Sequence, residues 1–221
     1  MEMSSEAKNR HGSEHGGEGG RQGPARLIVR PPVGQGLGPE QLGAVSTTLT
    51  AGETVEIAAQ QYLVVTIGHD RVAEVTCGLE RAGLLVYPLG RAVRPLRTCS
   101  FCKGPLVEGM PVAEELNSTV AGRATPSAVR VSYSGCVNGC AEPLLQDIGV
   151  VKEGESYAIY AGGQPAGEKP CLGQKLAAVS AEELPSVVGR LLDRYVADAT
   201  QGEKFSAFAR RVDLGALLSA G

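Results

Sequence analysis

Val131-Ser132-Tyr133-Ser134-Gly135-Cys136-Val137-Asn138-Gly139-Cys140-Ala141 changes character halfway along its length. From Val129 to Tyr133, β-branched and aromatic residues alternate with polar ones, as they do in a half-buried strand. Gly135 ends that pattern, and Cys136 and Cys140 follow in a glycine-flanked loop. Upstream, Cys99-Ser100-Phe101-Cys102 forms a second close pair. Each pair can place two thiolates on one metal centre. The decisive stretch therefore reads as a strand that delivers a cysteine loop. Leu144-Leu145-Gln146-Asp147-Ile148-Gly149 then leads into the next strand, near Ile148–Lys152.

Two chemistries compete for such pairs. A cubane iron–sulfur cluster takes four thiolates, often from Cys-x-x-Cys spacings. A structural zinc takes the same donors. The 33 residues between Cys102 and Cys136 exceed the roughly 15–20 of a zinc ribbon. They also contain a predicted helix over Val112–Val120 and the strand itself. Gly135 and Gly139 favour close approach of a bulky cofactor, because glycine has no Cβ. Spacing thus favours a cluster, with zinc and plain thiols as the alternatives. Cys77 falls within a helical pattern and reads as a buried packing thiol. Cys171, after Pro170 in a Gly-rich loop, has no assignment.

Working outward, 221 residues with 43% hydrophobic content suffice for one large or two small cores. No apolar run approaches the ~20 residues of a membrane helix, and no apolar signal region opens the chain. A cytoplasmic protein with reduced thiols and no membrane contact is expected. A net charge of −3, no Trp and few aromatics give no reason to expect nucleic-acid binding. Residues 1–24 are polar and Gly-rich and read as a disordered tail, with His11 and His15 as no more than weak metal donors.

Residues 25–92 read as a compact α+β unit. Arg26–Arg30 is a strand stopped by Pro31-Pro32, and Pro39 opens a helix with Leu42, Val45 and Leu49 at helical spacing. Thr54–Ile57 and Tyr62–Ile67 are β-structure. A helix from near Asp70 to Ala82 carries Val72, Val75 and Leu79, stops at Gly83, and is followed by a strand at Leu84–Tyr87. This order suggests a ferredoxin-like sandwich. Gly34, Gly36 and Gly38 lack the Lys-Ser or Lys-Thr of a phosphate loop. A second unit, 98–215, holds both cysteine pairs and a further strand at Tyr157–Ala161. Ser180-Ala181-Glu182-Glu183 is a capping box for a helix with Leu184, Val187, Val188, Leu191, Leu192 and Tyr195 on one face, and Phe205, Phe208 and Val212 mark a last helix.

Three stretches resemble one family, the sirohaem-dependent nitrite and sulfite reductases. Arg30-Pro31-Pro32-Val33-Gly34-Gln35-Gly36-Leu37 with Gln41-Leu42 resembles the entry to their ferredoxin-like half-domain. Val131 to Ala141, followed by Asp147-Ile148-Gly149, resembles their second cluster motif. Gly162-Gly163, the capped helix and Gly202–Phe208 resemble their C-terminal segment. The similarity spans about residues 26–215. It implies a half-domain followed by a [4Fe–4S]/sirohaem domain, with Cys99, Cys102, Cys136 and Cys140 as cluster ligands. Cys140 would bridge to the sirohaem iron, and Gly135, Asn138 and Gly139 would line the cofactor. The implied reaction is reduction of sulfite to sulfide or nitrite to ammonia, with electrons from a ferredoxin-like or flavoprotein donor. Lys103 and Arg97 are the expected holders of the small anion.

Three departures accompany the resemblance. The family's first pair usually has five intervening residues, whereas only Ser100 and Phe101 intervene here. The family's Arg in a Thr-Arg-Gln stretch is replaced within Ala58-Ala59-Gln60-Gln61, so the charged fork that favours carboxylates and oxyanions is missing there. Lys103 remains beside Cys102, and Arg94, Arg97 and Arg130 are available as substitutes. Family members carry two copies of the unit and this chain carries one, so a homodimer or a partner subunit is expected to cover the macrocycle. A precorrin-modifying enzyme on the same scaffold, a non-catalytic [4Fe–4S] carrier or accessory subunit, and a zinc-stabilised binding module are the competing functions.

Overall fold

The computed structural model describes residues 23–102, 109–167 and 169–218. Lys103 and nearly all of the expected tail lie outside the described residues.

The first sheet joins β1 (Ala25–Arg30), β2 (Thr54–Ala58), β3 (Tyr62–Ile67) and β4 (Leu85–Pro88) in the order β2-β3-β1-β4, with every pair antiparallel. Two helices, α1 (Pro39–Thr48) and α2 (Val72–Arg81), make the connections. This is the ferredoxin-like arrangement that the element order suggested. Leu27, Val29, Val65 and Ile67 form one core with Val45 of α1 and Val75 and Leu79 of α2. Gly83 closes α2 at φ +78, a left-handed conformation that favours glycine. Two readings on these helices need correction. Leu42 is 52% exposed, so only Val45 and the half-buried Leu49 carry the apolar side of α1. Cys77 is exposed, because the face defined by Val75 and Leu79 turns it toward solvent.

The second sheet has the order β5-β6-β7-β8-β9. β5 (Arg97–Thr98), β6 (Val131–Ser134) and β7 (Ile148–Glu153) are parallel; β8 (Ser156–Ala161) and β9 (Gln174–Val179) continue antiparallel. Sequence reading missed β9, an edge strand bonded on one side only, which pairs through an irregularity at Ile159/Tyr160 and brings the partly buried Leu176 and Val179 against the core. One face packs on α3 (Met110–Val120), α4 (Leu184–Asp198) and α5 (Phe205–Arg211); α6 (Leu214–Leu218) follows. Val131, Tyr133, Ile148, Val150 and Ile159 point into this core beside Leu116, Val188, Leu191 and Leu192. The capping box forms reciprocally: Ser180 N–H donates to Glu183 Oε2 at 3.0 Å and Glu183 N–H to Ser180 Oγ at 3.3 Å. Tyr195 meets Phe205 and Phe208 at centroid distances of 5.1 and 5.2 Å.

Residues of the first sheet and of α3 fix the segment that leads to Cys99. The buried Arg30 guanidinium donates to the Leu96 carbonyl, and desolvation lowers its pKa. Asn117 accepts from Leu96 N–H at 2.9 Å and donates to the Tyr87 hydroxyl at 3.1 Å. Gln61, in the β2–β3 turn at φ +64, accepts from Thr98 N–H at 3.1 Å. The stretch that departs from the family's Arg thus lies against the residue preceding Cys99.

Candidate functional site

Strand alternation gives the second sheet two unlike faces. Opposite the apolar core, β6 presents Ser132 and Ser134, β7 presents Gly149 and Val151, and β8 presents Tyr160. Register aligns Arg97, Ser132, Gly149 and Tyr160 in one row across four strands. The cysteine loop after β6 lies on this face. A Cβ at Gly149 would stand 2.1 Å from the Pro143 carbonyl oxygen, and one at Gly163 would stand 2.4 Å from that of Leu144. Glycine at these two positions lets the loop backbone rest directly on β7 and on the segment that follows β8. Gly139 has another reason to be glycine: its φ of +63 belongs to the turn itself. Close approach at this site is thus loop against backbone at Gly149 and Gly163, while Gly139 serves conformation.

Cys99, Cys102, Cys136 and Cys140 converge on one cavity of about 100 Å³, lined also by Ser100, Ser134, Gly135 and Asn138. Cys99 and Cys136 are half-buried, and Cys102 and Cys140 are exposed. The Cys99 backbone N–H donates to Tyr133 O at 3.1 Å, which extends the β5–β6 pairing into the first pair. Gly135 N–H donates to Cys99 Sγ at 3.3 Å, so backbone polarity from the second motif points at a thiol of the first. Ala141 N–H donates to Ser134 Oγ at 3.2 Å, tying the loop's far end to β6. Phe101 was not singled out from the sequence, yet it fixes the turn between Cys99 and Cys102. It sits at φ +46 with its ring buried and stacked on Tyr133 at 6.0 Å. An aromatic residue inside a two-residue cysteine gap was the available signal. Burial pushes the Tyr133 hydroxyl pKa far up, so that group stays protonated. Among the described residues, no three of His, Cys, Asp or Glu are placed to hold a single metal ion.

The other sequence candidates are distributed as follows. Arg97 Nη1 pairs with Glu142 Oε2 at 2.7 Å, while its Nε is buried without a partner. Arg130 pairs with the buried Asp147, whose carboxyl is raised by desolvation against the opposing pull of Arg130. Arg94 is partly buried with an unpartnered Nη1, and desolvation lowers its pKa. Cys171 does not line the four-cysteine cavity; its thiol donates to Gly162 O at 3.3 Å and faces Arg210 in a separate cleft. Beside the cluster loop lies a cleft of about 480 Å³ that shares Asn138 with the cysteine cavity. Val137, 75% exposed, and Leu172, 61% exposed, line it with Leu144, Val151 and Tyr160. Its charged lining residues are Glu142 and Glu153.

The fold agrees with the comparisons. Residues 90–220 match the family described as the nitrite and sulphite reductase 4Fe-4S domain, and the chain belongs to that family. It is 30% identical over 70% of its length to a ferredoxin-type sulfite reductase of Mycolicibacterium paratuberculosis. It is 31% identical over 58% to an NAD(P)H nitrite reductase of Bacillus subtilis, and 25% identical over 86% to a cobalt-factor III methyltransferase of Priestia megaterium. The chain spans 31%, 16% and 36% of these relatives respectively. Among solved structures, dissimilatory sulfite reductase I superposes with a TM-score of 0.71 at 13% identity, covering 88% of this chain and 68% of that one. Mycobacterium tuberculosis NirA superposes at 0.54 and 22%, covering 86% and 39%. These two likenesses concern the fold. No helix among the described residues is long and apolar enough to cross a membrane.

Proposed function

We propose that Cys99, Cys102, Cys136 and Cys140 hold a [4Fe–4S] cluster, and that the chain is the cluster-bearing part of a sirohaem-dependent reductase of sulfite or nitrite. The observation that carries this reading is the convergence of four cysteines, from two segments, on one cavity with a backbone N–H directed at a thiol. Four thiolates suit a cubane, and N–H donation to a ligating sulfur stabilises its more negative, reduced form. When bound, the two groups supply one-electron entry and an iron at which a small oxyanion is reduced.

The chain's own residues have separable tasks. Cys140 is exposed at the cavity rim, where its sulfur can be shared with a second group. Asn138 links the cavity to the cleft, whose apolar wall of Val137, Leu144 and Leu172 fits the flat face of a macrocycle. Lys103, next to Cys102, is the proposed holder of the anion and source of protons. No Arg or Lys lines the cleft among the described residues. A second copy or a partner subunit is the proposed source of cations for the sirohaem carboxylates. A ferredoxin-like or flavoprotein donor delivers the electrons.

The test is an absorption spectrum of anaerobically purified protein from a sirohaem-producing host, with iron, sulfide and tetrapyrrole measured on the same sample. Cluster plus sirohaem, with sulfite or nitrite turnover from an artificial donor, supports the proposal. A cluster with no tetrapyrrole and no turnover overturns it. The 86% coverage by the cobalt-factor III methyltransferase favours, as second reading, a cluster module in a corrin-type pathway enzyme, for which that outcome is the expected one.

A further inference from the structure

Arg97 stands two residues before Cys99, and Glu142 stands two residues after Cys140. Their ion pair therefore joins the strand that leads into the first cysteine to the loop that leaves the last. Other anchors of the loop, Ala141 N–H to Ser134 Oγ, Pro143 over Gly149 and Gly173 N–H to Leu144 O, attach it to β6, β7 and the segment before β9. The Arg97–Glu142 contact is the one side-chain bond between this loop and β5 among the described residues. An exposed ion pair contributes little by itself, but this one differs from a surface pair in two respects. The Arg97 side chain is only 19% exposed and lies in the row with Ser132 and Gly149 under the loop, its Nε buried. Glu142 is a non-glycine residue at φ +54, a conformation that persists where the surroundings impose it.

We propose that Arg97 and Glu142 form a positioning pair that closes the four-cysteine cavity by fixing Cys140 relative to Cys99. The proposal rests on the cluster reading above. Arg97 then acts through the loop, and its Nη1 is committed to a carboxylate of the chain itself. Removing either partner leaves the loop without its side-chain bond to β5, and the ligand set widens at its Cys99–Cys140 edge.

The experiment is a double-mutant cycle with Arg97→Gln, Glu142→Gln and both together in the full chain. Bleaching of the cluster absorbance in air is followed beside the thermal melting of the iron-free chain. Each single variant is expected to bleach about tenfold faster, within the range of coupling between contacting residues, and the double variant to bleach no faster than the worse single. Melting of the iron-free chain is expected to stay unchanged, which separates positioning from folding. Bleaching at the parent rate, or single effects that add in the double variant, overturns the proposal. If the parent chain takes up no iron and sulfide, the cluster reading fails. The pair is then read in the iron-free chain from the rate at which a short bifunctional thiol reagent links Cys99 to Cys140. Slower linking in both single variants upholds it, and an unchanged rate overturns it.

Discussion

The two faces of the second sheet are built to opposite rules. The helix-covered face carries Val131, Tyr133, Ile148, Val150 and Ile159, all essentially inaccessible, in one continuous core with α3, α4 and α5. The loop-covered face, one residue out of phase on the same strands, carries Ser132, Ser134, Gly149 and Tyr160, with Arg97 in line. Its buried polar atoms include Arg97 Nε and Ser132 Oγ, neither with a hydrogen-bond partner. Burying polar groups in this way opposes folding, whereas the apolar face drives it. Stability thus comes from one side of the sheet, and the other side is free to hold a polar loop with two of the four thiols.

The largest effects should come from the apolar face. Ile159→Ala, at a fully buried position, is expected to lower unfolding stability by about 2–5 kcal/mol in denaturant titration. A cost below about 1 kcal/mol would erase the contrast between faces. Gly149→Ala comes next. Its methyl would meet the Pro143 carbonyl, part of the backbone, so the loop must lift. We expect a loss of about 1–3 kcal/mol together with a sharp fall in iron and sulfide per chain. Full cluster content in that variant would show that the loop need not rest on the sheet. Ser132→Ala should do the reverse of Ile159→Ala. Removing a buried hydroxyl that has no partner leaves stability unchanged or raises it by up to about 1 kcal/mol. A clear loss there would reveal a partner, such as an ordered water.

How much of this was legible in the sequence follows the same division. The apolar face could be read directly, because alternation in Val129–Tyr133 and the stripe from Leu184 to Tyr195 are periodic signals. The first sheet was readable for the same reason. The cysteine spacing announced a shared site, and the fold brings all four thiols to one cavity. What escaped was set by contacts distant in sequence. Nothing local in Glu142 predicts a left-handed backbone or an arginine 45 residues upstream as its partner. The sequence assigns no packing role to Gly149 or Gly163, across which Pro143 and Leu144 lie in the fold. Edge strand β9, bonded on one side, carries no period-two alternation in Gln174–Val179.

The smallest effect expected is a pH dependence at the outer end of the apolar side, and it sharpens the comparison by showing how that side is fastened. Glu203 precedes α5, which brings Phe205 and Phe208 into the core. Its carboxylate takes Arg211 Nε at 2.7 Å and Nη2 at 2.9 Å, and also Thr200 N–H at 3.1 Å. The Glu203 carbonyl accepts the Tyr195 hydroxyl. Hydrogen bonds from Arg211 are the largest influence on the Glu203 carboxyl, which is held at about 2, down from 4.5. A carboxyl depressed on folding releases its proton more readily in the native chain. Its stabilising contribution is therefore complete above the ordinary carboxylate range and is lost as pH falls from about 4.5 toward 2. Glu203→Gln keeps the side-chain shape but has no proton to gain. It should melt slightly lower than the parent at pH 7 and lose less between the upper and lower ends of that window. Glu53, held at about 2 by Thr50, Gly68 and Arg71, titrates over the same interval, so the comparison is made in a Glu53→Gln background. Parallel melting curves for the two chains across the window would place the acid sensitivity elsewhere. Convergence, with amide exchange in α5 quickening first, would locate it at the helix that seals the apolar face.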